Sequence, residues 1–550
     1  MKMKRTILTP VVVALVALGT GGWFLQKGAD QKKNVYANSE LFENVLREVQ
    51  EKFVDAKDSG ELYQKAIDGM LEELGDPHSV LMPAKEYERL RTDTEGQYGG
   101  IGIQIGKRGD FVTVISPLPG TPAERLGLRA GDAIIEVDGV SAKGWTDEMA
   151  MSKLRGPVGK PVKMTIARPG VPDRMPFNIV REEIHIRAVP SAFMVGNGVG
   201  YAELSIFSET STTELRAALK KLQSEGAKSV ILDLRNNPGG LLDQGGSVSD
   251  LFLERGDLVL ETKSRVVGQS QKMLAVDADE FPNMPIVILV GPGTASAAEI
   301  LAGALQDHDR ALVLGRTTYG KGSVQTVIRL PDNKNYLKLT TARWYTPSGR
   351  SIQKPYGIGA AETPAAEGED GSLTANDSTK DKPTFKTDGG RTVYGGGGIV
   401  PDLIVALDTI TATERVFLQE VAKFGQQYAT ARLAFAVEYL RRTPNIQQGF
   451  VVTPQMVAEF YGVLQKQGVK VDRTVYNAAS GWLTDDLAYE ISYSKWGQQG
   501  TRQRVNRADP QVIAAAALLQ RAKDPAALFT LAKDYAAKHK QPEPALDPLH

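Results

Sequence analysis

The sequence contains no cysteine and only five histidines among its 550 residues. Without cysteine the chain has no thiol nucleophile, no thiolate metal ligand and no disulfide. The His-Glu-x-x-His pattern of zinc peptidases does not occur either. Lysine plus arginine and aspartate plus glutamate both number 65, so the basic excess of a nucleic-acid-binding protein is absent. These absences argue against a metal or other cofactor and against a nucleic-acid partner.

A Ser-His-Asp triad has few candidate histidines in this chain. His539 and His550 lie near the C-terminus, and no histidine is surrounded by a motif. His308 follows Ser296 by twelve residues. In a helix that separation is about 18 Å along the axis, which is too far for proton transfer. The sequence therefore favours a catalytic centre that does not use histidine.

The N-terminus combines a basic start, Lys2, Lys4 and Arg5, with an apolar run over residues 7–25. This order is typical of a membrane-targeting segment whose basic end stays in the cytoplasm. No clear small-x-small cleavage site follows, which favours an uncleaved membrane anchor over a removed signal peptide. Either interpretation predicts an exported chain on the periplasmic side of the inner membrane.

Periodicity and composition change several times along the chain and predict a multidomain α/β protein. Helical spacing dominates residues 38–95, and short β-runs separated by glycine and proline follow. Strands then alternate with helices, which indicates an α/β core. The predicted segments are 1–26 for targeting, 38–95 helical, 96–182 mostly β, 183–358 α/β core, 359–386 disordered insertion, 387–408 end of the core and 409–550 helical.

The first candidate for catalysis is Ser296, in Gly293-Thr294-Ala295-Ser296-Ala297-Ala298-Glu299-Ile300, directly after the apolar run at residues 285–290. A strand that leads into a helix places this serine at the helix N-terminus, where amides are free and the dipole is positive. Such a site can expose a nucleophile and stabilise an oxyanion. The alternative is an ordinary helix-capping serine, which accounts for most serines in this context.

The second candidate is Lys321, in Tyr319-Gly320-Lys321-Gly322-Ser323-Val324-Gln325. A phosphate-binding loop does not fit, because glycine rather than serine or threonine follows the lysine. A lysine general base must be neutral, and an ordinary lysine with a pKa of about 10.4 is neutral in about one molecule in 2,500 at pH 7. Burial among apolar neighbours can lower that pKa. The alternative is a simple glycine-rich turn.

The third motif is Asp233-Leu234-Arg235-Asn236-Asn237-Pro238-Gly239-Gly240, a strand that runs into a glycine-rich turn. Turns of this kind offer free amides to an anion or a developing oxyanion. Asp233 and Arg235 have a second interpretation, in which they only hold the turn in place. Each of the three motifs is a modest signal when taken alone.

In this order and spacing, the three motifs resemble those of the carboxyl-terminal processing protease family, also called tail-specific proteases. Lys321 follows Ser296 by 25 residues, and Gln325 follows Lys321 by four. The resemblance implies a serine endopeptidase that forms an acyl-enzyme and needs no cofactor. It implies that Ser296 is the nucleophile, that Lys321 is the general base and that Gln325 orients the lysine amine.

The same resemblance implies an oxyanion hole and supporting residues. The Ala297 amide would contribute one donor, and the amide of Gly239 or Gly240 would contribute the other. In a regular strand the lysine and the glutamine would be about 13 Å apart, so contact between them requires a bend, expected at Gly322. The residues implied to support the site are Glu299, Asp307 and Thr318.

The mostly β segment resembles a PDZ domain. This implies capture of a peptide C-terminal carboxylate by the loop Gly100, Ile101, Gly102 and Ile103, with an apolar pocket formed by the two isoleucines and the helix near Met149. The expected partners are polypeptides presented by their C-termini. The helical segment 409–550 lies outside the resemblance, and adaptor binding and self-association are both open for it. The alternative function is a non-catalytic PDZ scaffold or chaperone.

Overall fold

The computed structural model of the protein describes residues 36–354, 382–405 and 410–539. These residues divide into two compact units, with the boundary between residues 81 and 82. The first unit contains the helices α1 (residues 36–52) and α2 (Ser59–Glu72). Asp58 caps α2, since its carboxylate accepts a hydrogen bond from the Glu61 amide at 3.1 Å. The strand β1 (Val80–Pro83) spans the boundary between the units.

The second unit begins with a helix and a β-rich region. Its elements are α3 (Ala84–Glu95), β2 (Gln97–Gly100), β3 (Ile103–Arg108), β4 (Phe111–Pro117), α4 (Pro122–Arg125), β5 (Ala133–Val137), β6 (Val140–Ser141), α5 (Asp147–Leu154), β7 (Pro161–Ala167), β8 (Met175–Val180) and β9 (Glu182–His185). The main sheet has the order β3-β4-β5-β7-β8, with β6 paired to β5. An antiparallel ribbon of β2 and β9 joins the chain entering this region to the chain leaving it. In the strand order of the main sheet, β3 is an edge strand.

Strands and helices alternate through the region that follows. Its elements are β10 (Ser191–Gly196), β11 (Val199–Glu203), α6 (Ser211–Ser224), β12 (Ser229–Asp233), α7 (Leu242–Asp250), β13 (Leu258–Ser264), β14 (Gln271–Leu274), β15 (Ile286–Val290), α8 (Ala297–Asp307), β16 (Leu312–Gly315), β17 (Ser323–Arg329), β18 (Asn335–Tyr345), β19 (Thr384–Lys386), β20 (Thr392–Tyr394) and β21 (Leu403–Ile404). The central sheet has the order β10-β11-β12-β15-β16-β21 and is parallel from β11 to β21. A second, antiparallel sheet contains β14, β13, β18 and β17.

Helices make up the described part of the chain after residue 410. They are α9 (Ala412–Ala422), α10 (Gly425–Arg442), α11 (Pro454–Lys466), α12 (Arg473–Ala478), α13 (Ser480–Val505), α14 (Pro510–Leu519) and α15 (Pro525–Lys538). Aromatic side chains form the centre of one cluster, in which Phe417 packs edge-on against Tyr428 and Tyr476. α13 contains a non-helical residue, Gly497, with φ 62° and ψ −159°.

The central sheet is covered by helices on both faces. Alternate residues of each parallel strand point to opposite sides, so Val230 and Leu232 join one buried cluster while Ile231 joins another. The first cluster includes side chains of α6, α7 and α8. The second includes α14 and α15, through residues such as Val512 and Leu528. The last two helices of the described residues therefore form the second helical layer of the α/β core.

This arrangement confirms the predicted α/β multidomain class and modifies its details. The prediction placed all of residues 409–550 in a separate helical domain, whereas α14 and α15 lie on the central sheet. The segment predicted as purely helical contains β1, and the second sheet was not predicted. At the end of the predicted insertion, Thr384–Lys386 forms the strand β19.

Two predicted segments lie outside the described residues. These are the targeting segment, 1–26, and most of the predicted insertion, of which 359–381 are not described. Within the described ranges, no helix has the length and apolar character needed to cross a membrane. Export, membrane anchoring and the insertion therefore stay predictions.

Removal of the Asp307 carboxylate should destabilise the α/β core. Asp307 and Arg350 form an ion pair at 2.7 Å, and both side chains are at most 1% exposed. Asp307→Ala leaves the arginine charge buried without this partner, which costs about 3–5 kcal/mol of unfolding free energy. Urea unfolding followed by tryptophan fluorescence should show a lower midpoint. The control is Glu438→Ala, which removes an exposed ion pair with Arg441 and should leave the midpoint unchanged. Equal midpoints for the two variants would contradict the expectation.

Candidate active site

Ser296 lies at the N-terminal end of α8, after the short loop that follows β15. Its backbone has φ 55° and ψ −118°, a conformation that residues other than glycine rarely adopt. The side chain is half-buried. Such a backbone persists only where the surrounding structure holds it. The contacts of the neighbouring residues are therefore part of the site.

The loop before Ser296 is tied to the end of the neighbouring strand β12. The Thr294 hydroxyl donates to the Leu234 carbonyl at 2.7 Å, and it accepts from the Gly291 amide at 3.0 Å. The Ala295 amide donates to the Asn237 carbonyl at 3.0 Å. The loop that carries the serine and the glycine-rich turn after β12 thus form one hydrogen-bonded structure.

The Glu299 carboxylate connects this loop to the segment that contains Lys321. Its Oε2 accepts hydrogen bonds from the backbone amides of Ser296, at 2.8 Å, and Lys321, at 2.9 Å. Its Oε1 accepts from the Thr318 hydroxyl, at 2.5 Å, and the Gly320 amide, at 2.7 Å. The Glu299 side chain is completely buried. One buried carboxylate is therefore bonded to four donors.

The two hydrogen bonds to Oε2 fix how far apart the serine and lysine backbones lie. Because both bonds end on one atom, the Ser296 and Lys321 amide nitrogens cannot be further apart than the two bond lengths added together. Burial raises the pKa of Glu299, while the hydrogen bonds from Thr318 and from the backbone act in the opposite direction.

The glycine-rich turn packs directly against Ser296. Gly239 has φ 95°, and a Cβ atom added there would lie 2.7 Å from the Ser296 Cβ and 2.9 Å from the Ala297 nitrogen. Glycine is therefore required at this position for two reasons, its backbone conformation and its close approach. The Asn237 side chain shapes the turn, since it donates to the Leu204 carbonyl and accepts from the Gly239 amide, both at 2.8 Å.

The three amides named as oxyanion-hole candidates differ in their hydrogen bonding. The Gly239 amide is occupied by the Asn237 side chain. Within the ranges that the structure describes, the amides of Ala297 and Gly240 donate no hydrogen bond to a protein atom. Ala297 is the first residue of α8, where amides have no partner inside the helix. The free donors at this site are those of Ala297 and Gly240.

Lys321 is half-buried and lies just before β17. Its carbonyl accepts a hydrogen bond from the Trp344 indole at 3.2 Å, and the next amide, that of Gly322, donates to the Gln353 side chain at 3.0 Å. Trp344 is 1% exposed and belongs to the main buried cluster. The lysine backbone is thus held from both sides, by Glu299 and by the indole ring.

Gln325 lies on β17, four residues beyond the lysine. Its side-chain nitrogen, Nε2, donates to the hydroxyls of Ser323, at 2.8 Å, and Thr340, at 3.1 Å. The pairing of β17 with β18 is irregular between Val324 and Gln325. A bend was expected at Gly322, and the irregularity lies two residues later. The extra residue at this register shift is Thr341, so the bulged strand is β18 rather than β17.

The histidine nearest in sequence after Ser296 is at the opposite end of α8. His308 is the C-cap of that helix, and its ring nitrogens bond Asp388, at 2.7 Å, and the Leu258 carbonyl, at 2.8 Å. This position agrees with the helical separation expected from the sequence. Across the described residues, no group of three or more histidine, aspartate or glutamate side chains is arranged to hold a metal ion.

The predicted carboxylate-binding loop joins β2 to β3. Gly100 ends β2, Gly102 has φ 78°, and Ile103 begins β3 at the sheet edge. The Ile101 side chain is 2% exposed and packs in the core of the β-rich region, so it does not line an open pocket as expected. Met149, on the adjacent helix α5, is 50% exposed.

A charged cluster behind the glycine-rich turn was not predicted. The Arg235 guanidinium donates to Asp233 through Nε, at 3.0 Å, and Nη2, at 2.6 Å, and to Asp509 through Nη1, at 2.6 Å. Burial alone would raise the pKa of Asp233, but the arginine charge and hydrogen bonds lower it to about 2. In the sequence, Asp509 is only an Asp-Pro helix start, and nothing there relates it to Arg235.

Three parts of the chain match known protein families. Residues 198–360 match the profile of Peptidase family S41, residues 90–167 that of the PDZ domain, and residues 23–86 that of the activating protease CtpB N-terminal domain. A carboxy-terminal-processing protease of Bartonella bacilliformis is 42% identical over 334 residues, which are 60% of this chain and 75% of that protein. The chain belongs to the carboxy-terminal processing proteases. It is thus a serine-type peptidase with a PDZ domain, as predicted.

Other carboxy-terminal processing proteases are similar over between 56% and 63% of the chain. Protease CtpA of Bacillus subtilis is 33% identical over 351 residues, covering 63% of this chain and 74% of the relative. Among solved structures, the photosystem II D1 C-terminal processing protease is 32% identical and covers 56% of this chain and 82% of that one, with a TM-score of 0.33. The family assignment rests on the sequence matches.

Glu299→Gln should reduce both turnover and stability of this carboxy-terminal processing protease. A glutamine side chain offers one acceptor oxygen to the four donors, and its NH2 group would face two of the N–H or O–H groups. Each donor left unpaired costs about 1–3 kcal/mol of folding free energy. We expect kcat to fall at least about tenfold, which corresponds to about 1.4 kcal/mol, together with a lower melting temperature.

Glu414→Gln is the matched control for this experiment. Glu414 accepts a hydrogen bond from the Thr411 amide at the start of α9, as Glu299 does from Ser296, but α9 lies outside the site. Glutamine also serves in this capping position. The control should keep wild-type kcat in a peptide-cleavage assay. Wild-type kcat in Glu299→Gln would contradict the expectation.

Proposed function

We propose that the protein is an endopeptidase with a Ser-Lys dyad, in which Ser296 is the nucleophile and Lys321 is the general base. The observation that carries the proposal is the Glu299 carboxylate, whose Oε2 is bonded to the backbone amides of both residues. No histidine lies beside the serine in the same segment, and His308 bonds Asp388 and a backbone carbonyl at the far end of α8. These contacts support lysine as the base.

In the proposed reaction, the neutral Lys321 amine takes the proton of the Ser296 hydroxyl while Oγ attacks the scissile carbonyl. The peptide C–N bond then breaks, and the lysine returns its proton to the leaving amine. The product is an ester between Ser296 and the acyl part of the substrate. Water attacks this ester with the same lysine as base, which releases the new C-terminal carboxylate and restores the serine hydroxyl.

The proposed oxyanion hole consists of the amides of Ala297 and Gly240. Neither amide has an acceptor among the described residues, whereas the Gly239 amide is bonded to Asn237. The α8 N-terminus adds the positive end of a helix dipole next to the developing charge. Gly239 contributes space, because any side chain there would collide with the serine.

Gln325 is proposed to orient the lysine amine. Its side-chain nitrogen, Nε2, is bonded to Ser323 and Thr340. The side-chain oxygen, Oε1, is therefore the atom suited to accept a hydrogen bond from the lysine amine.

We further propose that the PDZ domain captures substrates by their C-terminal carboxylate. The PDZ match and the position of β3 at a sheet edge support addition of an extended peptide beside β3. The loop Gly100–Ile103 would hold the carboxylate, and Ile103 and Met149 would contact the last apolar side chain. Adaptor binding and self-association through the C-terminal helices stay predictions.

The alternative function, a non-catalytic PDZ scaffold or chaperone, has less support. Such a protein has no requirement for Ser296 in an unfavourable backbone conformation. It also has no requirement for a buried carboxylate bonded to four donors. These two features involve the residues of the proposed dyad.

Ser296→Ala and Lys321→Arg should both abolish cleavage of an unfolded polypeptide. Alanine removes the nucleophile, and a guanidinium stays protonated and cannot act as a base. We expect kcat to fall at least about a thousandfold, as for other catalytic serine and base residues. Mass spectrometry should detect a fluorophosphonate adduct on wild type but none on Ser296→Ala. Lys334→Arg, at an exposed lysine after β17, is the control and should retain activity. Cleavage by Ser296→Ala at the wild-type rate would overturn the dyad.

A substrate amidated at its C-terminus should be cleaved more slowly than the free acid. Loss of hydrogen bonds to a charged carboxylate costs about 1.5–3 kcal/mol, so kcat/KM should fall about tenfold or more. The control is Met149→Glu, which places a negative charge on α5 beside the proposed carboxylate site. This variant should cleave both peptides at similar, slower rates. Equal kcat/KM values for the two peptides with wild type would contradict carboxylate capture.

A further inference from the structure

The contact between Arg235 and Asp509 joins the catalytic core to a helix from the end of the chain. Besides Asp509, the arginine Nη1 contacts the Gln511 side chain, at 3.1 Å. The Arg235 and Asp509 side chains are 12% and 9% exposed, and Asp233, on the other side of the guanidinium, is 4% exposed. The arginine charge is thus neutralised by carboxylates from two distant parts of the sequence.

Asp509 uses its two carboxylate oxygens for different purposes. Oδ1 caps α14, where it accepts from the amides of Gln511, at 2.9 Å, and Val512, at 3.2 Å. Oδ2 accepts the hydrogen bond from Arg235. Gln511 in turn donates to the Val405 carbonyl, next to the central sheet, at 2.7 Å. The start of α14 is therefore fixed on the core, with one carboxylate oxygen directed at the arginine.

Arg235 lies at the beginning of the turn that packs against Ser296. A Cβ atom added to Gly293 would lie 2.7 Å from the Arg235 carbonyl oxygen, so the serine loop lies directly on the arginine backbone. Two residues later, the Asn237 carbonyl accepts a hydrogen bond from the Ala295 amide, and the Asn237 side chain accepts one from the Gly239 amide. A shift of Arg235 therefore displaces both Gly240 and the loop that carries the nucleophile.

We propose that Asp509 is a positioning residue for proteolysis: it holds Arg235, and through Arg235 the turn that presents the Gly240 amide to the reaction. Asp509 lies beyond the segments that the matching profiles cover, the last of which ends at residue 360. The inference rests on the proposed function, because it assigns α14 to the same oxyanion hole. The C-terminal helices are then a component of the active site.

Asp509→Asn separates the two uses of this carboxylate. Asparagine is as good a helix cap as aspartate, so α14 keeps its start. The variant loses the negative charge opposite Arg235 and directs an NH2 group at the guanidinium. Asp524→Asn is the matched control, since Asp524 caps α15 through the Ala527 amide, at 2.8 Å, in an exposed position on the same pair of helices. The two variants differ in the contact with Arg235.

The experiment measures kcat, KM and the melting temperature of the full-length protein with a fluorogenic peptide. We expect Asp509→Asn to lower kcat by about tenfold to a hundredfold, because displacement of a reacting group by about 1 Å causes a loss of this size. KM should stay within about twofold of wild type. Asp509→Glu, which restores the charge, should recover most of the lost kcat. Asp524→Asn should match wild type in kcat and KM. Asp509→Asn should have a lower melting temperature than Asp524→Asn, because it removes one partner of a largely buried ion pair.

Each other outcome has a defined meaning. Wild-type kcat in Asp509→Asn, with Ser296→Ala inactive, overturns the role of Asp509 and leaves the dyad intact. Equal activity of wild type and Ser296→Ala overturns the proposed function itself. Asp509→Ser is a second variant, because serine also caps helices without a charge. If neither Asp509→Asn nor Asp509→Ser yields folded protein, Asp509 acts through stability and the proposal is wrong.

Discussion

The Glu299 carboxylate is the interaction on which the site depends. Four donors from two chain segments end on its two oxygens, and the side chain is completely buried. A buried carboxylate is stable only when its oxygens are well bonded, so the carboxylate and the two segments hold one another in place. The serine conformation, with φ 55°, is maintained by this arrangement. A weakened carboxylate would release the strained residue and the lysine segment together.

Around that carboxylate, rigidity comes from the layers of the α/β core. α8 is buried along its whole length, between the central sheet and the second sheet. The lysine segment is attached to the second sheet, where Trp344 holds its backbone. Serine and lysine are thus carried by different sheets that meet at one helix N-terminus. A site built on sheets and a buried helix is positioned more accurately than one built on loops.

The sequence was most informative where structure is local. The strand at residues 286–290, the helix after it and the serine at its N-terminus follow from an apolar run and small residues, and the structure has them at those positions. The choice between Gly239 and Gly240 was not predictable, because it depends on where the Asn237 side chain folds back. The second sheet was missed because its half-buried strands lack continuous apolar runs. Asp509 was missed because a contact across 274 residues leaves no local pattern.

The position of α14 and α15 at the end of the chain has a consequence for synthesis. One face of the central sheet includes Ile231, Val287, Leu289, Leu312 and Leu314, and these two helices cover it. A ribosome that adds about 5–20 residues per second needs on the order of ten seconds or more to proceed from the last of these strands to α15. Throughout that interval the nascent chain carries an uncovered apolar sheet face. Assembly of the core is therefore a late event, and a truncated translation product is expected to be a substrate for quality control rather than an active peptidase.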